Sequence, residues 1–304
     1  MTMITLSDLD FATKKEALHE MGNRFKKLNI QELVEMTDYD SAFLCGILDR
    51  FKPKKIVELG IAAGGTTGII LKKLSKRQDA SEVKMFSCDY AEYYYRNNRL
   101  KEDDLHSGFL AENIRELAPI QHQFLLGKYL PQYINEIGDD IDFVILDTVH
   151  KLPGEVLDFL AIFPYLKKDA IVVLHDISYN LKERQSMQSF SNAALWSSVV
   201  ADKYINWITD ENGKNQGYPN IGAFQINQET QKYIDNLFYL FMLTWAYIPS
   251  TEELSLYCDL YSEKYDEEFV AIFNEACRKQ MEMIKSKLPM KLRLKRAIKM
   301  ITEG

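Results

Sequence analysis

In KIVELGIAAGGTT, residues 55–67, a short apolar run stops at a glycine-rich bend and a helix begins. Ile56, Val57 and Leu59 are β-branched or bulky, as a buried parallel strand requires. Gly60, Gly64 and Gly65 let the backbone turn tightly with no Cβ in the way. Such a turn is a place to hold a ligand. In an open α/β sheet, ligands sit outside the carboxyl ends of the strands, against the first free N–H groups of the following helix.

The spacing of the bend matters more than its glycine count. A dinucleotide fold expects G-x-G-x-x-G, whereas Glu58, Gly60 and Gly64 read E-x-G-x-x-x-G, with the acid still on the strand. The pattern resembles motif I of the class I S-adenosylmethionine (SAM) dependent methyltransferases. The resemblance implies a Rossmann-like α/β sheet of seven strands, with Glu58, Gly60, Ala62, Gly64 and Thr66 around the cofactor. SAM carries a sulfonium and an ammonium and has no pyrophosphate to place on a helix dipole. A carboxylate at the strand end suits that ligand better than it suits NAD.

Farther along, the apolar run Lys84 to Cys88 ends in Asp89, where a doubly wound fold lets an acid accept hydrogen bonds from both ribose hydroxyls. Tyr90 and Tyr93 to Tyr95 follow, with faces and hydroxyls suited to an adenine or a sugar. Ser107 to Leu117 reads as a helix, His122 to Leu126 as a third strand and Pro131 to Ile137 as a short helix. Asp142 to Asp147, DFVILD, is again an apolar strand ending in an acid, followed by Thr148, Val149 and His150. A helix starts near Pro153, and the next strand, Ala170 to Leu174, ends in His175 and Asp176. Two neighbouring strands thus deliver Asp147, His150, His175 and Asp176 to the rim that holds Gly60 and Asp89.

Carboxylate plus imidazole suits either a divalent metal or general acid–base chemistry, and the sequence leaves both open. Asp147, His150 and His175 are the catalytic candidates, Asp147 also being a cofactor contact. Asp147, His175 and Asp176 are the metal candidates, with Mg as the ion. The stretch LDTVHKLPGEVLDFLAIFPYLKKDAIVVLHDI, residues 146–177, resembles the bacterial group that includes macrocin-type sugar O-methyltransferases and cephalosporin-hydroxylase-like proteins. By that resemblance Asp147 and Asp176 take the places of acids that hold Mg. Asp169-Ala170 stand where the group usually has Gly-Gly, and His175-Asp176 replace its acidic pair, which makes the site less anionic.

Residues 5–51 read as a helical lead-in, with a second helix starting near Asp40 or Ser41 and stopping before Pro53. Residues 189–202 read as a helix. Tyr204 to Ile208 and Ile221 to Ile226 read as the terminal antiparallel hairpin of a methyltransferase sheet, with Tyr218, Pro219 and Asn220 in a loop that borders the acceptor. Thr230 to Trp245 reads as one aromatic helix and Glu252 to Leu288 as a further helical stretch, packed on the sheet or on a second subunit of a homodimer. The expected organisation is a lead-in over 1–51, a SAM-binding domain over 52–229 and a helical extension over 230–304. Lys285 to Lys299 holds seven basic residues and no acid, a basic amphipathic end suited to peripheral contact with an anionic membrane surface.

A chain of 304 residues with 46% apolar and 27% charged residues is long enough for one large core with appendages. Its net charge of -7 argues against a general nucleic-acid binder, which needs clustered Lys and Arg. Four scattered cysteines form no C-x-x-C pair, and no run of about 18 apolar residues occurs, so a cytoplasmic protein with reduced thiols is expected. The favoured expectation is a SAM-dependent methyltransferase acting on a hydroxyl of a small molecule, a sugar of a surface glycan or a secondary metabolite. The alternatives are an NAD-linked oxidoreductase and a non-catalytic methyltransferase-like assembly protein.

Overall fold

The computed structural model describes residues 2, 3, 5, 8–96, 100, 105–182, 190–206, 208–209 and 215–287. Seven strands make up the body of its main sheet: β1 (Lys55–Leu59), β2 (Lys84–Asp89), β3 (Gln121–Leu126), β4 (Ile141–Leu146), β5 (Leu166–His175), β6 (Asp202–Ile205) and β7 (Ile221–Gln225). Their spatial order is β3-β2-β1-β4-β5-β7-β6, and Thr2–Met3 adds a short parallel edge beside β6. The strands from β3 to β5 are parallel, while β7 runs antiparallel to both β5 and β6. The terminal hairpin expected from the sequence is therefore present, with Ala223 opposite Tyr204.

Register explains why distant acids meet. Leu59 pairs with Cys88 on one side and Leu146 on the other, and Leu146 pairs with Leu174. The next residue on each strand, Gly60, Asp89, Asp147 and His175, therefore emerges on one rim. Ile221 pairs with His175, so Asn220, just before β7, returns to the same rim.

The parallel strands are buried on both faces, as their near-continuous apolar runs require. Val57, Val144, Leu146, Val172 and Leu174 face one core, and Ile56, Phe143, Ile145, Ile171 and Val173 face the other. The second core is closed by α1 (Ala12–Arg24), α2 (Asp38–Phe51), α3 (Gly65–Ser75) and α4 (Glu112–Leu117). The first is closed by α5 (Gly154–Ile162), α6 (Ser191–Ser198) and the extension helices α7 (Thr251–Lys264) and α8 (Glu267–Lys287). Thr37 caps α2 by accepting from the Asp40 N–H at 3.2 Å, and α2 ends at Lys52 in left-handed geometry, just before Pro53.

Two expectations are corrected. The lead-in is not continuous helix but α1, a one-turn helix at Ile30–Leu33 and α2, joined by turns and bends. Thr230 to Trp245 is not one helix but Gln228–Lys232, Asp235–Phe238 and a 3₁₀ turn at Tyr239–Met242. Leu237, Phe238, Leu240 and Phe241 are buried at helical spacing, but the chain breaks the helix between Lys232 and Asp235 and tightens into the 3₁₀ turn after Phe238. The Phe241 carbonyl also accepts from Trp245 Nε1 at 2.9 Å, a side-chain bond in place of the helical ladder. Residues 288–304, with most of the basic stretch, lie outside the described residues, as do 97–99, 101–104 and much of the loop between β6 and β7.

Candidate active site

A cavity of about 680 Å³ opens along the rim where the parallel strands end. Gly60, Ala62, Thr66, Asp89, Tyr90, Asp147, His150, His175 and Asp176 all line it. At Gly60 the backbone has φ 90°, and a Cβ there would lie 2.0 Å from the Asp147 carbonyl oxygen. The bend is held from β2: Asp89 Oδ2 accepts from the N–H groups of Ile61 at 2.9 Å and Ala62 at 3.1 Å. Asp89 Oδ1 accepts from the Ala91 N–H at 2.8 Å. Tyr90 stacks on Tyr129 with ring centroids 4.5 Å apart.

Glu58 and Gly64 do not line the cavity. Strand alternation turns Glu58 into the sheet face covered by α3, where it is fully buried. Its Oε2 accepts from Thr67 Oγ1 at 2.8 Å and Ser87 Oγ at 2.7 Å, tying β1 to α3 and β2 beneath the bend. Burial pushes its pKa up to about 7 against those two hydrogen bonds. Gly64 has φ 92°, and a Cβ there would lie 2.6 Å from the Gly108 Cα, so its role is close backbone approach.

The acid–imidazole cluster stands at the β4 and β5 ends. His175 Nδ1 is 3.2 Å from Asp147 and 3.7 Å from Asp176, and its Nε2 is 3.6 Å from Asp40 on α2. His150 Nε2 is 3.4 Å from Asp176 and 3.7 Å from Asp147. Burial opposes charge on both imidazoles, but the surrounding carboxylates outweigh it. His175 is raised well above its ordinary pKa, and His150 is raised to about 9. Against its own burial, Asp147 is lowered by the two imidazoles. Asp147, His175 and Asp176 each offer a donor atom within 4.8 Å of the others, which suits a divalent cation.

His150 and Asp176 both have positive φ, 62° and 58°, costly for side chains bearing a Cβ and sustained only where neighbours fix them. The His150 N–H donates to buried Glu155 on α5, and the His150 Nδ1 lies 3.4 Å from that carboxylate. Asp176 Oδ1 accepts from Asn220 Nδ2 at 2.5 Å, and the His175 carbonyl accepts from Asn192 Nδ2 on α6 at 2.6 Å. Asp40, Glu155 and Asn192 escaped the sequence reading, since each joins the cluster from a helix whose own pattern shows only packing.

The helical extension also reaches the cavity, which its aromatic composition did not suggest. Tyr257 donates to Asp158 Oδ1 at 2.5 Å, Tyr261 to the Leu157 carbonyl at 2.8 Å and Tyr265 to the Leu160 carbonyl at 2.6 Å. This series at i, i+4 and i+8 straps α7 to α5. At its cavity end stand Tyr247, Glu253 and Tyr257, opposite Lys128 and Tyr129. Glu253 closes a capping box with Ser250 and accepts from the Tyr247 hydroxyl at 2.5 Å. Burial raises the Asp158 pKa to about 7, although Tyr257 and Thr148 both donate to it.

Residues 57–177 match a family model described as a methyltransferase domain. Similar solved structures include the O-methyltransferase TomG from Streptomyces achromogenes, involved in tomaymycin synthesis and solved with SAM. It is 14% identical, with 71% of this chain and 90% of that one covered and a TM-score of 0.45. An O-methyltransferase from Bacillus cereus, solved with S-adenosylhomocysteine (SAH), is 14% identical, with 70% and 90% covered and a TM-score of 0.43. An SAH-bound methyltransferase from Podospora anserina is 9% identical, with 71% and 88% covered and a TM-score of 0.47. No curated protein matches the chain.

Proposed function

We propose that the protein transfers a methyl group from SAM to a hydroxyl of a small molecule, a reading supported by the match of residues 57–177 to a methyltransferase-domain model. One observation carries this reading: the glycine bend with Asp89 and the cluster of Asp147, His150, His175 and Asp176 border the same cavity. The bend and Asp89 hold the amino acid and ribose of the cofactor. The cluster receives the acceptor hydroxyl.

Methyl transfer to oxygen is an in-line displacement: the acceptor oxygen loses its proton and approaches the sulfonium methyl along one axis. The groups lining the β4 and β5 ends suit that task. Asp147, held ionised by His175 and His150, faces the cavity and can orient the hydroxyl. The His150 imidazolium, its pKa raised to about 9, stands between Asp147 and Asp176 and holds the Asp147 carboxylate ionised, so that Asp147 can accept the released proton. Asp147, His175 and Asp176 would hold a divalent ion only with His175 neutral, and their imidazole favours a transition ion over Mg; when bound it would lower the hydroxyl pKa and fix its oxygen. Asp40, Tyr95, Arg96, Tyr179 and Asn220 line the remaining wall on the acceptor side. That many polar groups suit a polyhydroxylated acceptor, a sugar of a surface glycan or a secondary metabolite.

Isothermal titration calorimetry of the full chain with SAH tests the reading, with saturable binding expected. No heat and no thermal shift at millimolar SAH would overturn it.

A further inference from the structure

We propose that the helical extension recognises the nucleobase of the cofactor, with Glu253 accepting a hydrogen bond from the exocyclic amine of adenine. The inference rests on the methyl-transfer reading and goes beyond it, because it assigns a binding function to an element outside the matched domain.

The direction of the ligand follows from the strand order. The reacting methyl must meet the acceptor at the β4 and β5 ends, where Asp147, His175 and Asp176 stand. Asp89 on β2 is the acid that faces the ribose. Strands lie about 4.8 Å apart, so a ligand with its sulfonium toward β4 and its ribose at β2 carries its base onward, toward β3. That end of the cavity is bordered by Lys128 and Tyr129, which follow β3, and by Tyr247, Glu253 and Tyr257 of the extension.

The chemistry of this wall matches adenine. Tyr90 and Tyr129 offer an aromatic surface to stack on. Glu253 is buried, and its carboxyl already accepts from the hydroxyls of Tyr247 and Tyr129 and from the Ser250 N–H at 3.3 Å, which fixes its orientation. A carboxyl oriented in this way favours an amino group over a carbonyl at the same place. Adenine presents an amine there, and hypoxanthine presents an oxygen. The strap of Tyr257, Tyr261 and Tyr265 on α5 holds the wall rigidly enough to discriminate.

Calorimetry of the full chain with SAH and with S-inosylhomocysteine, whose base carries a carbonyl and an N1–H in place of that amine and the bare N1, tests the proposal. The unaltered chain is expected to bind SAH at least tenfold more tightly than the inosyl analogue, since a site built to pair an N–H group rejects a ligand that lacks it. Glu253→Gln keeps the capping box and is expected to cut the preference to threefold or less. Tyr247→Phe, which frees the carboxyl to turn, is expected to weaken SAH several-fold while far-UV circular dichroism stays unchanged. Equal binding of the two ligands by the unaltered chain, or an unchanged preference in Glu253→Gln, would overturn the proposal while leaving methyl transfer standing. Failure of the unaltered chain to bind SAH at all would bring down both.

Discussion

Gly60 meets two demands at once, a left-handed backbone and a strand end passing 2.0 Å from where its Cβ would be. Gly60→Ala should therefore destabilise the fold by at least roughly 2 kcal/mol in urea unfolding and abolish SAH binding; stability within error of the parent would refute the close approach. Asp89 holds the bend through Ile61 and Ala62 as well as facing the cavity. Asp89→Ala should weaken SAH by tenfold or more in calorimetry, and also lower the melting temperature. Asp147→Asn and Asp176→Asn should impair methyl transfer far more than SAH affinity, and the reverse pattern would redistribute the roles. These acids were legible in the sequence because each ends an apolar run, and parallel strands of like length finish together. Glu58 was not legible as a buried tie, because the motif fixes its position along the strand and not the face to which alternation turns it. Asp40 and Glu155 were hidden because their partners, His175 and His150, come from other elements.

Among the elements, α7 adds most to its sequence reading, which had the helix but not its bonds. Tyr257 and Tyr261 lie on one face of this helix and Tyr265 follows its last turn, a periodicity that predicts burial but gives no hint that the hydroxyls find Asp158 and two α5 carbonyls. Tyr261 is fully buried, so Tyr261→Phe deletes a buried bond to the Leu157 carbonyl, which keeps its place in the α5 ladder, and should cost about 0.5 to 1.5 kcal/mol in urea unfolding. A neutral result would mean that water replaces the bond. Strands β1 to β5 were read to within a few residues, since continuous apolar runs bounded by glycine, proline and acids leave few alternatives. The 228–242 segment was misread for the same reason in reverse: dense aromatics at helical spacing suggest one long helix, whereas the chain breaks at residues 233–234 and tightens to a 3₁₀ turn at Tyr239–Met242.

Stability of the whole molecule should depend on pH through a few buried groups. His150 has an ordinary value of 6.5 and a folded pKa of about 9. The folded chain thus keeps a proton that the unfolded chain releases, so its contribution is complete below about pH 6.5 and is lost as pH rises through about 9. His175 acts in the same direction. The urea midpoint should accordingly fall between pH 7 and pH 9, and an unchanged midpoint would contradict the charged cluster. Below that window the trends oppose each other. Glu58 and Asp158, both raised to about 7, lose their contribution as pH rises through about 7, while His122, lowered to about 3, loses its own as pH falls below 6.5 toward 3. Glu58→Gln isolates one of them: it should be less destabilising at pH 8 than at pH 5.

The late position of Tyr247, Glu253 and Tyr257 in the chain has a consequence for synthesis. Domains fold as they leave the ribosome, amino-terminal parts first. A nascent chain exposed only to residue 245 already has every strand of the main sheet, yet still lacks the wall that α7 brings to the ligand. Capture of the small molecule is thereby delayed until α7 has emerged, and an arrested ribosomal complex exposing residues through 265 should be the first to retain it.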